Sequence, residues 1–175
     1  PYSGDTDYLT NMGLAARKKG AENSIAQSEI HQSFYAYTIA IDLDRVGIDE
    51  VNGEVISVEN SEKIKRLKNF LDTVMFLYRD IKGRRENLSP VFVIGGIYER
   101  KNPFFENRLQ LFRGNLKIDI IKQVLESDVS IKENTEIGYL SGTFRNDRDI
   151  IEQLKPVSIK QFFDSMKEKI EEVYK

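Results

Sequence analysis

The sequence has no cysteine and no tryptophan, a single histidine and only four prolines in 175 residues. Without thiols there is no disulfide framework, no iron–sulfur or cysteine zinc site, and no thiol nucleophile. The lone imidazole, His31, excludes any site that needs two from one chain, such as a zinc site of the H-E-x-x-H kind. No run of about 18 apolar residues occurs, which excludes a conventional membrane-spanning helix. No signal peptide is visible, and cysteine-free usage fits the cytoplasm. Neither sign of charge dominates: 26 Lys and Arg stand against 28 Asp and Glu, a formal net charge of −2. That argues against a uniformly basic nucleic-acid coat and leaves local basic surfaces open.

The length suits one domain spanning residues 1–175. Residues 1–32 read as irregular, punctuated by Gly4, Gly13 and Gly20, with a short helix around Leu9 to Arg17. Residues 33–175 read as the core. Ser33 to Leu43 has the clearest strand alternation, with Tyr35, Tyr37, Ile39, Ile41 and Leu43 on one face. Asn52-Gly53 marks a turn, and Glu54 to Val58 returns as a hairpin strand. Ser61 to Ile81 carries a helical stripe of Ile64, Leu67, Leu71, Val74, Tyr78 and Ile81, with Ser61 as N-cap and Gly83 as stop. Val91 to Ile94 reads as a central strand covered on both faces, interrupted at Gly95-Gly96. Leu109 to Phe112 and Glu136 to Phe144 read as strands, and Lys117 to Glu126 as a helix. Ser158-x-x-Gln161 is a capping box opening a last helix to Tyr174. The expected class is α+β. The order β-α-β-β-α-β is the ferredoxin-like pattern that RNA-recognition modules share, a sheet with helices on one face.

Few residues suggest chemistry. Asp42-Leu43-Asp44 places two carboxylates two apart at a strand end, where both can reach one divalent cation. The alternative is a pair of solvated acids, one of them paired with Arg45. His31 can serve as a general base or touch a ligand, but no nucleophile elbow surrounds it. No P-loop and no G-x-G-x-x-G occurs. Gly95-Gly96 permits a close approach of backbone to phosphate, or forms a simple bulge. Between Ser61 and Glu86 eight basic residues face four acidic ones, and Lys82-Gly-Arg84-Arg85 follows the helix in a loop able to track a phosphate backbone.

Longer strings are more specific. They are Gly4-Asp5-Thr6-Asp7-Tyr8-Leu9-Thr10-Asn11-Met12-Gly13-Leu14-Ala15, then Ser28-Glu29-Ile30-His31 running into Tyr35-Ala36-Tyr37-Thr38 and Ile41-Asp42-Leu43-Asp44-Arg45-Val46-Gly47, then Phe76 through Pro90. Together with Asn102-Pro103-Phe104-Phe105 and the closing Pro156-Val157-Ser158 helix, they resemble the CRISPR-associated backbone subunit of type I effector complexes, in its DevR-like, subtype I-B branch. Members of that family carry a further amino-terminal part. The resemblance therefore implies that the first strand of the RNA-recognition-like sheet is absent here.

The resemblance implies a non-catalytic role with no cofactor and no metal. Copies stack along one CRISPR guide RNA with other subunits of the Cascade complex, and target DNA is reached through pairing with the guide. The resemblance points to segments, within which the candidate RNA contacts are Arg84, Arg85 and Asn87 after the helix, and Gly95 and Gly96 at a close approach. Arg17, Lys18 and Lys19 lie in a thumb-like segment, and His31 and Arg100 complete the set. Two other readings stand beside it: a metal-dependent ribonuclease using Asp42 and Asp44, and a protein-only interaction module.

Overall fold

In a computed structural model the chain is α+β. The structure describes residues 3–10, 25–81 and 83–175, with 3–10 and 25–32 described as backbone. Two compact units emerge, Pro1–Ala36 and Tyr37–Lys175.

In the first unit, β1 (Ser3–Thr10) and β2 (Ile25–Gln32) form an antiparallel ladder with Ser3 opposite Gln32 and Thr10 opposite Ile25. This corrects the irregular reading over Ser3–Thr10 and Ile25–Gln32, and Leu9 and Thr10 are strand rather than helix. The signal was weak because these strands are polar. Their backbone N–H and C=O groups, rather than an apolar face, define the pairing. The remainder of the expected helix, with Arg17, Lys18 and Lys19, lies outside the described residues.

The alternating segment Ser33 to Leu43 is not a ladder strand among the described residues. It stays outside every described sheet and ends in a 3-10 turn, Leu43–Arg45. Tyr35, Tyr37, Ile39 and Ile41 are exposed. Alternation fixes which way side chains point, but a ladder also needs a neighbour's hydrogen-bonding groups.

In the second unit, β3 (Ile48–Val51) and β4 (Glu54–Ser57) form the expected hairpin. Asn52 and Gly53 turn it with φ of 55° and 81°, the conformation that matches the strands' twist. Helix α1 (Asn60–Met75) has Glu59 rather than Ser61 at its N-cap position, without a side-chain capping bond, and stops well before Ile81. Tyr78–Ile81 is instead β5, paired antiparallel with β6 (Arg84–Asn87). Gly83, at φ 78°, belongs to that hairpin's connection and is not a helix stop. The Leu88 N–H donates to the Leu77 carbonyl and extends the ladder by another bond.

Beyond it come β7 (Phe92–Gly96), the short hairpin β8 (Leu111–Phe112) and β9 (Asn115–Leu116), and α2 (Ile118–Ser127). Then follow α3 (Val129–Asn134), β10 (Thr135–Tyr139), α4 (Asp147–Leu154) and α5 (Ile159–Val173). Gly95 and Gly96 remain inside β7, so the expected interruption does not occur. The strand expected from Glu136 to Phe144 ends at Tyr139, and Gly142 turns the chain at φ 83°. Helix α5 starts as expected: the Ser158 and Gln161 side chains cap reciprocally.

The described strands pair in five separate two-stranded antiparallel ladders, not in one sheet of ferredoxin-like order. The pair β7–β10 is the centre of the second unit. Register places Phe92 and Ile94 on one face with Tyr139 and Ile137, and Val93 on the other with Gly138. The first face packs against Ile118 and Ile121 of α2 and Ile150 of α4. The second face meets Phe162, Phe163 and Met166 of α5, which also contact Leu71, Val74 and Met75 of α1. The expectation of β7 covered on both faces therefore holds. Helices on one face only does not, because α2 and α4 approach from the other side. Ion pairs Lys167–Asp72 and Lys68–Glu171 join α5 to α1 at the margin of the packing.

Phe163 is among the largest fully buried side chains, 1% exposed. Phe163→Ala is expected to destabilise the second unit by about 3–5 kcal/mol, from lost transfer energy and a residual cavity. Denaturant unfolding followed by circular dichroism measures this, and a change under about 1 kcal/mol would contradict the packing described.

Candidate nucleic-acid interface

The β5–β6 hairpin projects without any core of its own, and all eight of its strand residues are exposed. Its register sets Tyr78, Asp80, Arg85 and Asn87 on one face and Arg79, Ile81, Arg84 and Glu86 on the other. The two faces differ electrostatically. On the first, the Arg85 guanidinium lies 4.4 Å from the Tyr78 ring centre, and its Nε is 3.3 Å from Asp80 Oδ1. Arg85 is thus stacked on the diagonal Tyr78 and partly neutralised by Asp80 directly opposite. On the second face Arg79 and Arg84 make no ion pair among the described residues, although Glu86 stands opposite Arg79. Two exposed guanidinium groups without ion pairs among the described residues, one on each strand of the hairpin, suit phosphate oxygens, which they can grip in a bidentate manner.

The expected site residues separate. Arg84 and Arg85 share the hairpin but point to opposite faces. Asn87 ends β6, and its Oδ1 accepts from the Ser89 N–H at 2.9 Å. Gly96 serves an approach within the chain itself: a Cβ there would lie 1.8 Å from the Asn134 carbonyl oxygen. Gly95 has no heavy atom within 4 Å of the corresponding position and stays open. Arg100 is exposed and 3.9 Å from Asp128 Oδ2, a long ion pair. His31 lies on β2 opposite Gly4, in the first unit. Tyr78 and Arg79 were not among the expected candidates because helical spacing claimed them. The available signal was the short stretch around Gly83, with strand-compatible residues on both sides.

The carboxylate pair has a partner that sequence did not reveal. Lys101 Nζ bridges Asp42 Oδ1 at 2.8 Å and Asp44 Oδ2 at 2.7 Å. The Asp42 Oδ1 also accepts from the Asp44 N–H. The Lys101 hydrogen bond holds the Asp42 carboxyl below its ordinary value, and Asp42, then Asp44, raise the Lys101 ammonium in turn. The ammonium occupies the position between the two acids that a divalent cation would need. Among the described residues no group of three or more His, Cys, Asp or Glu side chains is gathered as for a metal ion. No helix among them is long and apolar enough to cross a membrane.

A family model described as CRISPR-associated negative auto-regulator DevR/Csa2 matches residues 7–111. That is more than half of the chain, and the chain belongs to this CRISPR-associated family. No curated protein and no solved structure matches it.

The Asp42–Lys101 contact has a defined pH signature. A lowered carboxyl value means the interaction is present above the ordinary aspartate value of 3.8 and is lost as pH falls through the lower folded-state value. In Lys101→Ala the Asp42 titration, followed by carboxyl NMR, is expected to move upward toward 3.8. An unmoved titration would show that Lys101 does not hold the pair.

Proposed function

We propose that the chain is a non-catalytic subunit that binds CRISPR guide RNA and stacks in several copies to form the backbone of a type I-B surveillance complex. Target DNA is then recognised by the guide's base pairing, so the protein needs to grip a backbone rather than read bases. Family membership supports the CRISPR setting. The observation that carries the RNA reading is the β5–β6 hairpin, whose Arg79 and Arg84 face solvent without ion partners among the described residues. In this reading β7 and β10, backed by α5, are part of an RNA-recognition-like sheet.

The absence of catalysis is part of the same proposal. A two-metal or one-metal ribonuclease needs carboxylates free to take the cation. Here Lys101 already bridges Asp42 and Asp44 and offsets one of their two charges. Labelled single-stranded RNA incubated with the chain and Mg²⁺ or Mn²⁺ is expected to stay intact. Cleavage that disappears in Asp44→Asn would replace the scaffold reading with the nuclease one.

Gripping is tested by the salt dependence of RNA binding. Each phosphate contact to single-stranded nucleic acid contributes about 0.7 to the slope of log affinity against log salt. Arg79→Ala with Arg84→Ala is therefore expected to weaken binding and flatten the slope by about 1.4. Arg85→Ala should flatten it less, since Asp80 already offsets that charge. A double variant with unchanged slope would remove the hairpin from the interface.

A further inference from the structure

The β8–β9 hairpin carries a second arrangement of the same chemistry, and it lies almost wholly beyond the family-matched residues. Its turn is Arg113-Gly114, with φ of 50° and 81°. Arginine adopts a positive φ only at a cost, which the tight two-residue connection imposes. The turn thrusts Arg113 outward, its guanidinium 5.2 Å from the centre of the Phe112 ring. Phe112 is itself 58% exposed.

A second arginine is brought to the same turn. The Arg145 N–H donates to the Gly114 carbonyl at 2.9 Å. A Cβ on Gly114 would meet Arg145 Cδ at 3.2 Å and Nε at 3.3 Å, so the side chain runs directly past the glycine. The next residue locks this arrangement. Asn146 Oδ1 accepts from the Leu116 N–H and its Nδ2 donates to the Leu116 carbonyl, both at 2.9 Å. Leu116 is buried in the core, so the hairpin is anchored at its base while its tip is exposed. Among the described residues neither Arg113 nor Arg145 has an ion partner. Two cations on one braced turn, beside an exposed ring, form an arrangement that lacks its counter-charge.

We propose that Arg113, Arg145 and Phe112 form a second contact for single-stranded nucleic acid, with the arginines on phosphates and the Phe112 ring stacked under a base. An aromatic ring beside uncompensated arginines is the combination that binds single strands without sequence preference. This extends the nucleic-acid reading to a new surface and rests on that reading only for the class of ligand.

The test uses the 175-residue chain and a labelled poly-uridine oligonucleotide, with affinity measured across salt concentrations. Arg113→Ala with Arg145→Ala is expected to flatten the salt slope by about 1.4. Phe112→Ala should weaken binding on the order of tenfold while leaving the slope unchanged. Arg113→Lys with Arg145→Lys keeps the charge and should retain the slope. Unchanged affinity and slope in the alanine pair would overturn the proposal, and so would a slope lost equally in the lysine pair, which reports altered folding rather than charge. If the alanine pair binds RNA normally but loses self-association in sedimentation, the surface is a protein interface and the proposal falls. Measuring Arg79→Ala with Arg84→Ala in parallel separates the two hairpins, because failure at one leaves the other's slope change intact.

Discussion

The antiparallel pair β7–β10 is the constraint on which the second unit depends. Its register sends Phe92, Ile94, Ile137 and Tyr139 one way and Val93 and Gly138 the other. Each face then has its own apolar partner set, with α2 and α4 on one side and α5, backed by α1, on the other. A slip of one residue would exchange these faces and expose both sets at once. Two strands alone make a marginal sheet, and here packing on both faces supplies what further strands otherwise would. The Tyr139 hydroxyl adds a polar tie, donating to Asp147 Oδ1 at the start of α4.

In the second unit the remaining described ladders are small hairpins with exposed strands or tips. The β3–β4 and β5–β6 strands are almost wholly exposed. Such elements contribute little to stability, which leaves their surfaces open to charge patterns that a core would not tolerate. The β5–β6 hairpin shows this clearly. One face satisfies itself through Tyr78, Asp80 and Arg85, and the other leaves Arg79 and Arg84 without an ion pair among the described residues. A net charge of −2 therefore conceals a strongly uneven surface. The family match supplies the CRISPR setting, and in the proposed reading the hairpins are the means by which a near-neutral chain holds an RNA backbone.

Sequence was most informative where local rules and packing agreed. Helix α5 was legible because its capping box and its Phe162, Met166, Ile170 stripe specify the same element. The β3–β4 hairpin was legible from Asn52-Gly53. Legibility failed where a pattern fits two structures. Tyr78 and Ile81 continue the helical stripe of α1, yet the residues from Tyr78 to Asn87 also satisfy a hairpin, and the ladder won. Ser33 to Leu43 alternates well but finds no ladder partner among the described residues. The carboxylate pair was visible, whereas Lys101, more than fifty residues away in sequence, could be placed only by the fold. The Arg113–Arg145 juxtaposition was hidden for the same reason.

The central claim is that the exposed β5–β6 hairpin lies against the RNA backbone. Ultraviolet crosslinking of the chain to guide RNA, with the attached peptides identified by mass spectrometry, tests it most directly. The account predicts crosslinks within the peptide spanning Tyr78 to Asn87, with Tyr78 as the reactive ring. Crosslinks confined to other segments, with Tyr78 to Asn87 unmodified, would contradict it.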